Sequence, residues 1–589
     1  MNQNSKEYLW ALRHTCQHVL TQAMENLYGQ DKVIKAMGPA TEEGFYFDFD
    51  TVDFKVSEDM FLGIEAEMQK IISHDLPLVQ SEIGQEEAKK LFSNNIYKLE
   101  WINQFISESK KLTVYKTGDE YTDLCAGPHV ESTGKIGAFK LLSIAGAYWH
   151  GSEKNKMLTR IYGTAFQTAK ELEDYLHFIE EAKLRDHRLI GEKQKLYTIS
   201  PLVGAGLPLM QPNGMIIREA ITDYLWSLHK NLGYQKVWTP HIAKVALYET
   251  SGHAAKFGDE LFRVKGKEEE FIMKPMNCPH HMQIFADNQF SYRDMPIRSF
   301  EPATVYRDEK PGQLLGLARV RSITQDDGHI FCRISQLQEE IGSITKIIQE
   351  FYTTLGILEG YWVSLSVRGE DKSKYIGTEE NWLFAEESLE IAAKANNLNY
   401  RRIEGEAAFY GPKLDFMFKD ALGRERQLAT VQCDFNLPER FNLSFINEQG
   451  QKERPVVIHR AVSGSLERFM SILIEHFAGA FPLWLSPTQV SIIPITEDQL
   501  EYANTIATEL KKHDIRCNIQ KESGTMQSKI KDAQELKIPY MLILGKKEQE
   551  ANTVSIRTRE NKQIFGLSLQ DLVSKLNDQI QQKSLALLQ

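Results

Sequence analysis

Residues 298–325 read RSFEPATVYRDEKPGQLLGLARVRSITQ, and the character of the central domain follows from this stretch. RSFEPATVYR (298–307) and LARVRSITQ (317–325) are strand-like runs, and the loop between them carries Pro311 and Gly312. Around them, from about 200 to 480, strand-like runs mix with longer helices such as SLERFMSILIEHFAGA (465–480). The pattern predicts an α+β domain built on an antiparallel sheet.

Working outward, the central segment has a boundary on each side. Upstream, TAKELEDYLHFIEEAKLRDHRLIGEK (168–193) places Leu172, Tyr175, Leu176, Ile179 and Leu184 at helical spacing amid abundant charge, which predicts one long amphipathic linker helix. PLVGAGLPLMQPNG (201–214) then enters a new domain as a Gly/Pro-rich loop. Downstream, a helix stops before Pro482 and Pro487. Beyond it QVSIIPI, DQLEYANTIATELKKHD, IRCNIQ, a second helix and PYMLILG alternate in βαβα order. That order predicts a small α/β domain with a mostly parallel sheet.

At 589 residues the chain exceeds one core and suggests three or four domains. Apolar residues at 42% and charged residues at 25% are ordinary for a globular protein. No apolar run reaches the ~18 residues that span a bilayer. The first twenty residues have the pattern of neither a signal peptide nor a transit sequence, so the expected location is cytoplasmic. Six scattered cysteines do not make a disulfide framework. A net charge of -11 argues weakly against a nucleic-acid partner without excluding one, because binding depends on local patches.

Three patches then appear in order: GYQKVWTP (233–240), Arg307-Asp308-Glu309 with Arg319 beyond a loop, and Gly464-Ser-Leu-Glu467-Arg468. Each is weak alone; their order and spacing resemble the motifs of class II aminoacyl-tRNA synthetases. KPMNCPHH (274–281), QDDGHIFC (325–332), AFYGPKLDF (408–416) and IHRAVSGSLERF (458–469) narrow the resemblance to the threonyl-tRNA synthetase family, over essentially the whole chain. It implies a multidomain α+β and α/β fold: an editing domain at 1–165, a linker helix at 166–196, a class II antiparallel-sheet catalytic domain at 197–484 and an anticodon-binding α/β domain at 485–589. Many relatives carry a small ubiquitin-like domain ahead of the editing domain; with His14 so near the start, this chain is expected to lack it.

The resemblance implies an ATP-dependent ligase acting on L-threonine and tRNA(Thr), a homodimer without membrane association. Adenylate formation brings a carboxylate onto an α-phosphate, so fixed cations must offset two repelling anions. Arg307 resembles the α-phosphate and carboxylate clamp, Arg468 the γ-phosphate holder, and Lys413 a further catalytic cation; guanidinium forks suit phosphate. Glu309, Arg319, Ile323 and Gln427 fall at ATP positions, with Mg2+ accompanying the nucleotide. Ile323 departs from the family, which usually places an aromatic there to stack on adenine.

Cys278, His329 and His459 are brought together by the resemblance alone, as ligands of one Zn2+ per subunit; three ligands leave a position for substrate. Zinc bound by the substrate's amine and hydroxyl rejects valine, which lacks the hydroxyl. Gln325, Asp327, Tyr410 and Gln432 resemble the remaining pocket. Serine has both groups and differs by one methyl, a difference worth roughly 1–3 kcal/mol, so misactivated serine must be removed elsewhere.

His14 and His18 stand one helical turn apart, and Cys125 and His129 follow about a hundred residues later. With SIAGAYWHG (143–151) and RIYGTAFQ (160–167), this HxxxH…CxxxH pattern resembles the editing domain of threonyl- and alanyl-tRNA synthetases, which also places Lys98 and Asp123 in the site. The tetrad's composition suits zinc, whereas the resemblance implies a metal-free site where His14 or His18 activates water and Lys98 steadies an oxyanion. In the last domain Glu548 and Arg557 resemble anticodon readers, with Lys546, Lys547 and Arg559 placed for phosphate.

A catalytically silent, RNA-binding relative would be expected to lack Arg307, Arg468 or a zinc ligand, and all are present. A free-standing editing hydrolase would stop near residue 200, and another class II synthetase should lack the Cys/His/His set.

Overall fold

The computed structural model describes residues 5–421, 423–522 and 524–588, so the outermost ends of the first and last expected domains lie outside the described residues. The chain forms two compact units, Met1–Glu181 and Ala182–Gln589.

In the first unit Ser5 caps the helix Lys6–Tyr28, accepting from the Tyr8 N–H. Leu12, Cys16, Val19 and Leu20 of this helix are buried with Phe45, Phe47 and Ile161 of a four-stranded antiparallel sheet. That packing leaves His14 and His18 together on one flank. A second sheet, Leu78–Glu82, Thr113–Thr117 and Tyr121–Leu124, is antiparallel and delivers Asp123 and Cys125 at its end.

The expected single linker helix is broken. Helices Ala169–Leu184 and His187–Lys193 are separate because Asp186 accepts from the Arg188 N–H and starts a new helix. The first of them buries no residue, since charge occupies too much of its circumference.

In the second unit an eight-stranded sheet runs in the order Tyr234–Lys236, Ile297–Tyr306, Ser322–Cys332, Val456–Ser465, Glu425–Asp434, Lys413–Lys419, Trp362–Val367, Tyr400–Glu404. All neighbours are antiparallel except the outermost pair at each edge. Strand periodicity of two divides the sheet into faces. Phe300, Ile330, Ile458, Val431 and Leu414 join the main core with Ile341, Ile344, Ile348 and Phe351 of the helix Leu337–Thr354. Arg460 is also on this side, fully buried, with its Nη1 2.7 Å from the Asp326 carbonyl and its guanidinium over the rings of Tyr234 and Phe300. Gly328 is its rung partner, and any Cβ there would lie 2.6 Å from that guanidinium. The opposite face holds the site.

The last segment forms a five-stranded sheet ordered Cys517–Ile519, Val490–Pro494, Tyr540–Leu544, Thr553–Thr558, Gln563–Ser568. The three strands read from sequence are parallel, but a terminal hairpin adds two antiparallel strands, so the sheet is mixed. Asn561, at φ 69°, makes the hairpin turn. Among the described residues no helix is long and apolar enough to cross a membrane.

Candidate functional site

Sheet register builds the central site. Ser299, His329, His459, Gln432 and Lys413 occupy a single rung across five strands. Two residues along each strand lie Glu301, Asp327, Ala461, Thr430 and Asp415. Five expected site residues, drawn from over a hundred positions of sequence, therefore share one patch of sheet because pairing and pleat put them there.

Cys278 opens the helix Cys278–Ala286 above this patch. Its sulfur and one nitrogen each of His329 and His459 lie within 4.8 Å of one another, all three residues buried. His329 Nε2 is 3.0 Å from His459 Nδ1, and His459 Nε2 is 2.9 Å from Asp434 Oδ2. Burial pushes the Cys278 thiol up. Asp327 accepts from Asn277 at 3.1 Å, and burial raises its carboxyl. Tyr410 stacks on His459 at 4.9 Å and donates to Gln432 Oε1 at 2.5 Å.

Beside these groups lies a cationic patch. Arg307 points its guanidinium at the Pro275 carbonyl, 3.4–3.5 Å away, and lies over the Phe257 ring at 5.0 Å. Neither Arg307 nor Arg468 forms an ion pair among the described residues. Burial lowers both, and Arg426 and Arg319 lower Arg468 further by repulsion. Arg319 and Arg426 are each paired with a carboxylate, Glu309 and Asp420, so Arg468 is the cation of this group without an ion pair among the described residues, and the local field suits an anion. Glu467 sets the geometry: its carboxylate accepts from the Thr324 N–H and from Arg218, which ties the helix Leu466–Phe477 to the strand behind Arg319.

Other expected residues are engaged within the chain. Arg319 pairs with Glu309 at 2.7 Å. Lys413 pairs with Asp415 at 2.7 Å, and Asp415 also accepts from Gln427, Ser366 and Thr430. Ile323 is half-buried on its strand opposite Val305, and Gln325 is half-buried two residues before Asp327.

The four residues expected to form an editing site also assemble, with one atom of each of His14, His18, Cys125 and His129 within 4.8 Å of the others. His14, His18 and Cys125 of this group line a cavity of about 400 Å³ with Lys98, Asp123, Trp101 and Phe105. His14 Nδ1 faces the Pro128 carbonyl and must carry hydrogen, so its Nε2 presents a lone pair 3.4 Å from Cys125 Sγ. Thr15 Oγ1 donates to Ala11 O and accepts from Val130 N–H and His129 Nδ1, leaving His129 Nε2 as a second lone pair 3.2 Å from the same sulfur. Burial lowers His14, His18 and His129, and pushes the Cys125 thiol up to about 12. Lys98 and Asp123, buried to 1–2% exposure, form an ion pair at 2.7 Å.

In the last domain Glu548 is turned inward, accepting from Gly545 N–H and Ser555 Oγ. Arg557 bonds Asn561, and its Nε is buried without a partner. Lys546 and Lys547 are exposed. Arg559 departs from expectation: instead of facing solvent it donates to the carbonyls of Phe481 and Lys537, because its side chain folds back into the junction with the catalytic segment.

Sequence reasoning missed Asn277, His281, Glu301, His253 and Arg426. Asn277 and His281 lie inside KPMNCPHH, and Glu301 and Arg426 alternate with core residues on site strands, a usable signal. His253 gave none; it is buried with Nε2 unpartnered, 6.3 Å from the Tyr410 ring.

Residues 262–477 match the tRNA synthetase class II core domain (G, H, P, S and T), residues 489–579 an anticodon binding domain, and residues 112–162 the threonyl and alanyl tRNA synthetase second additional domain. A threonine–tRNA ligase from Thermotoga petrophila is 44% identical, the match covering 98% of this chain and 89% of that protein. One from Thermus thermophilus is 45% identical, over 95% of this chain and 87% of the relative. The crystal structure of the RNA binding domain of threonyl-tRNA synthetase from Cryptosporidium parvum superposes with a TM-score of 0.64 at 36% identity, covering 67% of this chain and 98% of the other.

Proposed function

Because the chain belongs to the threonine–tRNA ligase family, we propose a division of labour among the residues above. The enzyme is an ATP-dependent ligase that joins threonine to tRNA and carries a second domain for editing.

In the first step the threonine carboxylate attacks the α-phosphorus of ATP, and diphosphate leaves with the electrons of the broken P–O bond. Arg307 holds the α-phosphate and incoming carboxylate together; Arg468 and Arg426 hold the departing phosphates, whose Mg2+ arrives with the nucleotide. That neither Arg307 nor Arg468 is ion-paired among the described residues is what supports this role. Glu309 and Arg319 flank the base, with Ile323 giving it an apolar seat and Gln427 steadying Asp415 below. In the second step a ribose hydroxyl of the 3'-terminal adenosine attacks the adenylate carbonyl and AMP leaves.

Cys278, His329 and His459 fit a metal: three soft or borderline donors, all buried, converge to within 4.8 Å of one another. They would hold Zn2+, which supplies a Lewis acid for the amine and hydroxyl of threonine. Asp327 and Gln325 are hydrogen-bond partners for the substrate's hydroxyl and amine, and Tyr410, Gln432 and Lys413 close the pocket.

His14 or His18, each held neutral by burial, takes a proton from water in the editing cavity. The Lys98–Asp123 pair supplies the positive end for the developing oxyanion, and Cys125 remains a thiol that orients His14 and His129. Arg557, with an unpartnered donor, reads an anticodon base, and Lys546 and Lys547 meet phosphate; Glu548 fixes the loop that presents them. Exposed Leu202 (99%) and Trp238 (74%) fit burial against a second copy, a homodimer. A cytoplasmic location is part of this reading, since tRNA, ATP and threonine are all met there.

The single observation that carries the threonine assignment is the three-ligand cluster on the floor of the arginine-lined site. The test is ATP–diphosphate exchange with threonine, serine and valine, run with metal analysis. Threonine-dependent exchange, weaker serine exchange and stoichiometric zinc are expected; exchange without zinc would overturn the reading.

A further inference from the structure

Behind His329 lies a pair of residues that the proposed chemistry does not use. His281 comes from the helix Cys278–Ala286 and Glu301 from the strand Ile297–Tyr306. Both are buried, at 1% and 3% exposure. Glu301 Oε2 is 2.9 Å from His281 Nε2, and His281 Nδ1 is 2.7 Å from His329 Nδ1. The line continues through His329 Nε2 to His459 Nδ1 at 3.0 Å, and from His459 Nε2 to Asp434 at 2.9 Å.

The partners at each end of this line constrain its protons. Glu301 also accepts from the Thr239 N–H at 2.7 Å and from the Thr239 hydroxyl. Burial pushes its carboxyl up, but the His281 bond and the field of Lys274 prevail and hold it below its ordinary range. As a carboxylate it only accepts, so His281 Nε2 carries hydrogen. With His281 as the neutral tautomer, its Nδ1 holds a lone pair and accepts from His329 Nδ1, 2.7 Å away. The lone pair of His329 is thereby placed on Nε2.

From the other end, Asp434 Oδ1 accepts from the N–H groups of Asn436 and Leu437, and Oδ2 takes the His459 Nε2 proton. The lone pair of His459 is on Nδ1. Two lone pairs thus face each other at 3.0 Å beside the Cys278 sulfur, an arrangement that repels until a cation lies between them.

We infer that Glu301 and His281 are a positioning pair that locks His329 in the tautomer whose Nε2 is free to bind the metal. This rests on the reading of Cys278, His329 and His459 as a zinc site. His329 turned to its other tautomer would aim an N–H at His459 Nδ1, making a hydrogen bond where the metal belongs. The two histidine ligands are held by different devices, a carboxylate directly for His459 and a carboxylate through a second imidazole for His329. Outer partners of this kind commonly change metal affinity by about 10–100-fold.

The test uses the full-length enzyme and competition with a zinc chelator, with the absorption of the Co2+-substituted protein as a second readout. His281→Phe cannot accept from His329 and is expected to bind zinc 10–100-fold more weakly, with an altered cobalt spectrum. His281→Gln offers an acceptor and a donor again and is expected to stay within about threefold of the parent. Glu301→Gln supplies an independent arm if the Phe variant does not fold. Thr239 N–H keeps the amide oxygen, so the amide NH2 faces His281 Nε2, reverses the relay and weakens zinc about tenfold.

Unchanged zinc affinity in His281→Phe or Glu301→Gln would overturn the positioning role. Equal weakening in the Phe and Gln variants, tracking a common drop in apo-protein Tm, would also overturn it, as a packing effect. A parent enzyme that binds no zinc would instead remove the metal reading beneath it.

Discussion

His329 and His459 stand directly opposite each other on adjacent antiparallel strands, with ring nitrogens 3.0 Å apart. One residue of register slip would send one of these side chains to the core face, which is filled by Ile330, Ile458 and Arg460. The His329–His459 pair is therefore as firmly specified as the core, because the same pleat fixes both.

The arginines should separate kinetically. Arg307→Lys is expected to lower kcat for adenylate formation at least a hundredfold, since an ammonium cannot bridge two anions as a fork does. Arg468→Lys should act mainly on the KM for ATP, about tenfold. Diphosphate exchange at varied ATP distinguishes them, and identical effects on both parameters would refute separate roles.

Proofreading should be separable from activation. His18→Ala or Cys125→Ala, both in the first compact unit, should leave threonine-dependent exchange within twofold and let seryl-tRNA accumulate. Deacylation of pre-formed seryl-tRNA measures this directly; undiminished hydrolysis in both variants would remove the tetrad from the chemistry.

At the adenine side, Ile323→Phe should restore stacking. A gain of about 1 kcal/mol corresponds to a KM for ATP about fivefold lower. The site strand is half-buried there, so the ring has space to lie along it. A raised KM would show that the apolar seat is already filled.

Acid should destabilise the second unit. Burial takes His229 down to about 2 and His253 to about 3. The unfolded chain binds protons at these residues near pH 6.5 and the folded chain does not, so their contribution is complete above 6.5 and declines as pH falls toward the folded values. At pH 5.5 each has lost about 1.4 kcal/mol. Asp326, raised by burial to about 6, works in the opposite sense, favouring the fold as pH drops through 6, by somewhat less than 1 kcal/mol at pH 5.5. The net expectation is a Tm lower at pH 5.5 than at 7.5; a flat profile would contradict it.

Much of the molecule could be read from one dimension. The strand-like run 298–307 and the last four residues of 317–325 announced the antiparallel sheet, although the second strand begins only at Ser322 after a turn, and the three ordered motifs announced the family, because these signals are local in sequence. The linker was legible only in part: its helical spacing was visible, but Asp186 acting as a cap depends on a local hydrogen bond. Arg559 reads as a surface cation until its guanidinium is seen on the carbonyls of Phe481 and Lys537.

By itself the sequence determined which residues are chemically able to act: Cys278, the arginines, the two histidine pairs. Tertiary structure alone decided their company. Sheet register put His329, His459, Gln432 and Lys413 on one rung, and helix packing set His281 between Glu301 and His329. The physical reason is distance along the chain. Periodicity reports the face a residue takes on its own strand, whereas the proton a buried imidazole carries depends on partners supplied by other strands and helices.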